Sequence, residues 1–291
     1  MPGHVNPSPL TRRDILRKLA PANIFQPATM LWRVFEIEAV LRTAQFVGRG
    51  VDIGCGDGEL GGLVFDAYAP RPRVFGIEPD ERDSVRARAS GTYENVFSVT
   101  GDALPIETAS LDFAFSNSTL EHIPGLDPVL ADVARVLRPK GEFTFTVPSE
   151  QFHKCLAGSR VLGALARRRG KTYEELIDER LAHQRYLSPD EWRKRLEAVG
   201  FRESRATRYF PRSAVRAWET ISNRTGGIAY ELFRGRRATR QIQHGLGLSR
   251  RGSPQAARAV AAIAERLVRP VLADEVRSNE PSGGLLIVAT R

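Results

Sequence analysis

Val51-Asp52-Ile53-Gly54-Cys55-Gly56-Asp57-Gly58 sets a short apolar run, interrupted by one acid, against three glycines at alternate positions. The apolar residues predict a strand that ends near Ile53. The glycines predict a sharp turn in which no Cβ separates the backbone from a ligand. A helix starting just beyond would present unpaired N–H groups at its first turn. Strand, glycine turn and helix in that order predict a nucleotide-type site at the carboxyl end of a parallel strand.

Two ligands compete for such a turn. Gly56-Asp57-Gly58-Glu59-Leu60-Gly61 satisfies G-x-G-x-x-G, and Glu78 stands about 20 residues on, where a dinucleotide-binding dehydrogenase places its ribose acid. The register argues against it. With the strand ending at Ile53 the first turn glycine is Gly54, and the third glycine position then falls on Glu59. Asp52 and Glu59 also put negative charge where a pyrophosphate would sit, which is electrostatically unfavourable. A cofactor carrying positive charge fits these acids better.

Four further segments follow in order. They are Val74-Phe75-Gly76-Ile77-Glu78-Pro79-Asp80, Thr100-Gly101-Asp102-Ala103-Leu104-Pro105, Leu111-Asp112-Phe113-Ala114-Phe115-Ser116-Asn117-Ser118-Thr119-Leu120-Glu121-His122-Ile123, and Val136-Leu137-Arg138-Pro139-Lys140-Gly141-Glu142-Phe143. With the glycine loop as motif I, the set resembles the class I S-adenosylmethionine (SAM) methyltransferases, of the methyltransferase type 11-like kind. The resemblance covers roughly residues 47–148 and, more weakly, 183–208. It implies an α/β fold: a Rossmann-like doubly wound sheet, mostly parallel, with an antiparallel last strand.

The resemblance also implies a cofactor site. Gly54, Gly56 and Gly58, with Cys55 between them, would face the methionine end of SAM. Asp52 would organise that loop or receive the ammonium group. Glu78, followed by Pro79, would accept both ribose hydroxyls, for which a two-oxygen carboxylate is suited. Asp102 would accept the adenine amino group, with Ala103 or Leu104 against the ring. Asn117 would meet the methionine end.

Methyl transfer from a sulfonium depends mainly on in-line positioning of the acceptor. An oxygen acceptor benefits from a general base, commonly histidine. His122 and His183 are the two candidates among five histidines. Glu121-His122 is also a routine part of the family's framework. No Asp/Glu/His group has metal-ligand spacing along the chain, so no metal is expected.

The rest of the sequence frames this core. Two cysteines, one in the glycine loop, exclude a disulfide framework. No run approaches the roughly 18 apolar residues of a membrane span. Met1-Pro2-Gly3-His4 lacks the charged-then-apolar pattern of a secretory signal, so a cytoplasmic location is expected. Thr11 is placed to cap a helix running to Leu19, and 30–46 reads as an amphipathic helix. Strand and helix patterns then alternate over 47–53, 60–68, 74–77, 82–89, 96–100, 111–116, 127–137 and 142–147, which predicts a parallel sheet covered by helices. Ser188-Pro189-Asp190-Glu191 is a capping box with proline at the first helical position.

This organisation gives an N-terminal arm and helices over 1–46, a SAM-binding core at 47–148, a helical insertion at 149–185, a return to the core at 186–210, a second helical insertion at 211–282 and a last strand at 283–291. Helices are expected at 154–168, 173–183, 213–223 and 256–272. Both insertions adjoin strand carboxyl ends, so a lid over the acceptor pocket is expected, with an interface as the alternative.

Charge is uneven. Residues 151–291 carry 28 basic and 14 acidic side chains, against 15 and 20 in residues 1–150. A basic half can attract an anionic acceptor, nucleic acid or anionic lipid. The Asn/Asp-Pro-Pro-aromatic sequence of base-modifying enzymes is absent after the fourth strand, and no RNA-binding motif is appended. The expected partner is therefore a small-molecule acceptor, anionic or lipid-linked, with peripheral membrane contact allowed and nucleic acid disfavoured. The alternatives are an RNA or protein methyltransferase using the basic half, and a SAM-binding protein without transfer activity.

Overall fold

The computed structural model of the chain describes residues 10–20, 26–224, 262, 265, 266 and 268–291. Among these residues seven strands form one sheet: β1 (Arg49–Ile53), β2 (Arg73–Ile77), β3 (Asn95–Phe97), β4 (Leu111–Asn117), β5 (Leu137–Pro148), β6 (Glu203–Pro211) and β7 (Ser282–Thr290). Their order is β3-β2-β1-β4-β5-β7-β6. The neighbours from β3 to β5 pair in parallel, and β7 runs antiparallel to both β5 and β6. The doubly wound, mostly parallel sheet with an antiparallel last strand is thus as the resemblance implied. Strand order reverses at β1, between β2 and β4, and that reversal opens a crevice at the strands' carboxyl ends.

Period-two alternation sends successive side chains to opposite faces of the sheet. Phe113, Phe115, Leu286 and Val288 pack with helices α1 (Arg12–Leu19) and α2 (Pro27–Thr43) on one face. Ala114, Leu285, Ile287 and Ala289 pack with α5 (Leu126–Val136) and α9 (Pro189–Ala198) on the other. Helices α3 (Glu59–Phe65) and α4 (Glu81–Ala89) follow β1 and β2. The capping residues act as their types predict. Thr11 and Ser188 each form a reciprocal box, with Asp14 and Glu191, which satisfies orphan amides at both helix starts.

Several boundaries differ from the sequence reading. α2 starts at Pro27, not Met30, because proline suits the first helical turn, and it ends at Thr43. It is buried nearly all round rather than amphipathic, since α1, the sheet and α10 (Arg212–Ser222) enclose it. The single helix expected over 154–168 is two: α6 (Phe152–Cys155) and α7 (Arg160–Arg168). Gly158, at φ +83°, breaks the helix, and Ser159 caps the next one by accepting from the Leu162 amide. α8 (Tyr173–Leu181) follows, ended by Ala182 in the left-handed conformation. Most of the helix expected over 256–272 lies outside the described residues. Its end at 268–272 is helical, with Val268 and Leu272 buried. No described helix is long and apolar enough to cross a membrane.

One buried carboxylate joins the first helices to the sheet. Glu36 on α2 is fully buried and accepts from Asn117 Nδ2 (3.0 Å), Tyr209 Oη (3.0 Å), the Ser118 hydroxyl and the Arg33 guanidinium. Burial pushes the Glu36 pKa up. The Arg33 charge and the donated hydrogen bonds outweigh it and hold the carboxyl below its ordinary range. Removing the acceptor leaves several buried donors and a cation without a partner, which costs about 3–5 kcal/mol in comparable buried pairs. Glu36→Ala should lower unfolding free energy by that order in a urea titration, and Glu36→Gln by less.

Candidate functional site

The carboxyl ends of β1, β2 and β4 open into a cavity of about 1580 Å³. Its floor is the glycine loop. Gly54, Gly56 and Gly58 all have positive φ, at +75°, +57° and +84°. A Cβ on Gly54 would stand 2.4 Å from Thr119 Cγ2, so only glycine fits between β1 and the loop after β4. The Gly54 and Cys55 amides donate to the Ile77 carbonyl (2.8 and 3.0 Å), which places the turn at the end of β2.

Glu78, just past β2, is buried and lines the cavity. Its Oε2 accepts from the Gly56 amide (2.9 Å) and its Oε1 from the Asp80 amide (3.0 Å). A carboxylate offers about four acceptor sites, so it can hold the loop and a ribose diol together. Asp52 is buried beneath the loop and accepts from Tyr93 Oη (2.7 Å). Burial, opposed by that hydrogen bond and aided by the Glu78 charge, raises its carboxyl to about 7. Gly61 makes room for the pair, because a Cβ there would meet Tyr93 Oη at 2.1 Å. Burial also pushes the Cys55 thiol far up, so it remains a neutral thiol.

Asp102 is exposed and lines the same cavity. Pro79 and Asn117 line it too. Asn117 is held at both ends of its amide, by Glu36 and by the Thr146 hydroxyl (3.2 Å to Oδ1). Ala103 and Leu104 do not reach the cavity lining. Leu104 is buried in the core on the α5 face, and its amide donates to Asp132 Oδ2 (2.6 Å).

The two histidines are brought together from 61 residues apart. His122 ends a short turn (Leu120–His122) and lines the cavity, and His183 lies behind it, with ring centroids 5.3 Å apart. Burial, together with His122 and His153 and against the pull of Asp178, pushes the His183 imidazole down to about 3. Glu121 is buried beside them, and burial raises its carboxyl to about 8. Although the linear sequence shows no metal-ligand spacing, one ligand atom from each of Glu121, His122 and His183 lies within 4.8 Å of the others.

Arg33 from α2, Arg180 and Leu181 from α8, and Trp218 and Ser222 from α10 complete the wall. Sequence reasoning missed Glu36, Tyr93 and these wall residues. Only Gly61, opposite Tyr93, left a trace of any of them.

The acid-rich cavity favours a cationic ligand. Asp52, Asp57, Glu78 and Asp102 line it together, and a pyrophosphate there would meet net repulsion. The glycine cradle and two end-of-strand acids suit a sulfonium cofactor with an ammonium group and a ribose. The model of the methyltransferase-domain family matches residues 13–203, about two thirds of the chain. The chain belongs to the class I SAM-dependent methyltransferases. Their cofactor, S-adenosylmethionine, is the ligand that this cradle fits.

Over 99 residues the chain is 31% identical to the sterol 4-C-methyltransferase strm-1 of Caenorhabditis elegans, a segment making up 32% of this chain and 29% of that protein. Over 106 residues it is 31% identical to the malonyl-(acyl-carrier protein) O-methyltransferase of Methylococcus capsulatus, 35% of this chain and 38% of that one. The chain thus spans well under two thirds of the length of these relatives. A SAM-dependent methyltransferase from Thermotoga maritima shares the fold, with a TM-score of 0.55 over 95% of this chain and 98% of that one, at 17% identity.

Asp52 makes stability depend on pH. Between its unfolded value near 4 and its folded value of about 7, the native chain holds a proton that the unfolded chain has released. Its contribution to stability therefore falls as pH rises through that window and is level above it. Asp52→Asn should raise the thermal midpoint at pH 8, by an amount that shrinks towards zero at pH 4. Glu78→Ala should weaken SAM binding by about 1–3 kcal/mol, the scale of a lost charge-assisted hydrogen bond, as read by isothermal titration of the folded variant.

Proposed function

We propose that the chain transfers a methyl group from SAM to a small-molecule acceptor, by O- or N-methylation of a natural-product, glycan or lipid-linked substrate. The cofactor supplies a methyl group on an electrophilic sulfonium. The chain's residues position it: Glu78 and Asp102 would hold the ribose and adenine, and the Gly54–Gly58 backbone with Asp52 and Asn117 would hold the methionine end. Orientation of a bound acceptor then provides much of the rate.

The observation that carries the small-molecule reading is the cavity wall. α2, α8 and α10 bring Arg33, Leu181 and Trp218 around the side of the cavity that the glycine loop leaves open. Such a pocket suits a compact acceptor better than a polymer track. Leu181 and Trp218, from the described parts of the two insertions, support reading those insertions as a lid. Two of the proteins that the chain resembles, a sterol 4-C-methyltransferase and a malonyl-(acyl-carrier protein) O-methyltransferase, favour a lipid-linked acceptor over a polymer.

Arg167, Arg168 and Arg169 are exposed at the end of α7, a surface that would attract an anionic group on the acceptor. The second basic run, Arg234, Arg236 and Arg237, lies outside the described residues.

Incubation with isotopically labelled SAM and a metabolite extract should put label into a small molecule visible by mass spectrometry. Label in RNA or protein instead would replace this reading with the polymer alternative. Binding of SAM without label transfer would favour a non-catalytic role. Neutralising Arg167, Arg168 and Arg169 together should raise the acceptor KM and flatten its salt dependence, with SAM affinity unchanged.

A further inference from the structure

Glu121 is 1% exposed, and its Oε2 has no hydrogen-bond partner. A buried carboxylate oxygen without a partner is costly, so the site is built for something that completes it. The nearest cations do not. Arg33 pairs with Glu36, and Arg185 donates to the Leu120 and Pro124 carbonyls (2.8 and 3.0 Å).

Two imidazoles converge on that carboxylate, each oriented from behind. The His122 Nδ1–H donates to the Ala182 carbonyl (2.9 Å), and its Nε2 lies 3.8 Å from Glu121 Oε1. Tyr186 gives its one hydroxyl proton to Asp178, so its oxygen accepts from the His183 Nδ1–H (2.9 Å). That fixes the neutral His183 with its lone pair on Nε2. Histidines that ligate metals are held in this way, with the second ring N–H on a carbonyl or on a chain leading to a carboxylate.

The backbone holds the cluster together. Ala182 turns the chain out of α8 at φ +57°, a conformation that costs energy for a residue with a Cβ. The Gln184 amide then donates to the Glu121 carbonyl (3.0 Å), and Gln184 Nε2 donates to the His122 carbonyl (2.9 Å). These bonds join the first insertion to the turn after β4.

We propose that Glu121, His122 and His183 form a binding site for a divalent first-row transition cation at the edge of the cofactor cavity. Two imidazoles and a carboxylate suit zinc, cobalt or iron in the divalent state. Their ligand atoms lie within 4.8 Å of one another, a spread that small side-chain rotations would close to ligating distance. Three protein ligands leave coordination positions open, and His122 lines the cavity, so an open position faces the cavity. The site is separate from the glycine loop and does not depend on the acceptor reading.

The test uses the full-length protein, stripped with chelator and desalted, without SAM. Titration with Co²⁺ should produce a saturable visible d–d band, and Zn²⁺ should displace it at one ion per chain by calorimetry. Glu121→Gln and His183→Ala should each weaken binding at least tenfold. Asp178→Asn, which orients His183 through Tyr186, should weaken it by about 10–100-fold. Circular dichroism checks the fold of each variant, and His122→Ala, on the partly exposed ring, carries the test if the buried variants fail to fold. No saturable binding to the wild-type chain, or binding that survives both histidine substitutions, would overturn the proposal.

Discussion

The architecture around the site depends on the burial of Glu36. It lies inside α2, where a charged side chain without partners would be strongly destabilising. Four donors resolve that cost: Arg33 from the same helix, Asn117 and Ser118 from the end of β4, and Tyr209 from β6. The charge therefore fixes the N-terminal helices against both halves of the sheet. Asn117, held by Glu36 on one side and Thr146 on the other, is presented to the cavity in one orientation. The cavity wall and the end of β4 that lines the cavity are set by the same carboxylate.

The electrostatics of the cavity follow from a second constraint. The loop after β1 must turn at once, because its Gly54 and Cys55 amides are committed to the end of β2. The turn brings Glu78 to the Gly56 amide and leaves Asp52 buried below, within the field of Glu78. Burial and mutual repulsion both work against the ionised form of Asp52. A cationic cofactor relieves that repulsion, whereas a pyrophosphate would add to it. Asp52, one of the acids that made the literal G-x-G-x-x-G match doubtful, is among the groups that make the cavity acidic.

Beside that cradle the chain adds a wall of its own. Trp32, Phe152, Phe210 and Trp218 pack edge-on and tilted around α2, with centroids 4.7–5.7 Å apart, and join the first insertion to α10. Tyr186 stacks on Phe152 and carries the hydrogen bonds that reach Asp178 and His183. The described parts of the insertions are thus docked onto the core by aromatic packing. Their titratable groups meet the turn after β4 as a result of that docking.

The sequence by itself determined the sheet, the glycine loop, the helix caps and the two end-of-strand acids, because each depends on neighbours a few residues away. Alternation of apolar residues, the positive φ of a turn and the reach of a capping side chain are local, so Gly54, Glu78 and Ser188 could be read in place. Helix ends at 27 and 43 were less legible, since proline placement and burial on all sides blur the periodic signal. The tertiary structure alone decided the partners of Glu36, the pairing of Tyr93 with Asp52, the burial of Leu104 away from the cavity, and the meeting of His183 with Glu121 and His122. Most of those depend on which elements pack together across tens of residues or more, from 41 between Asp52 and Tyr93 to 173 between Glu36 and Tyr209, and a buried polar group acquires its meaning only from what is packed against it.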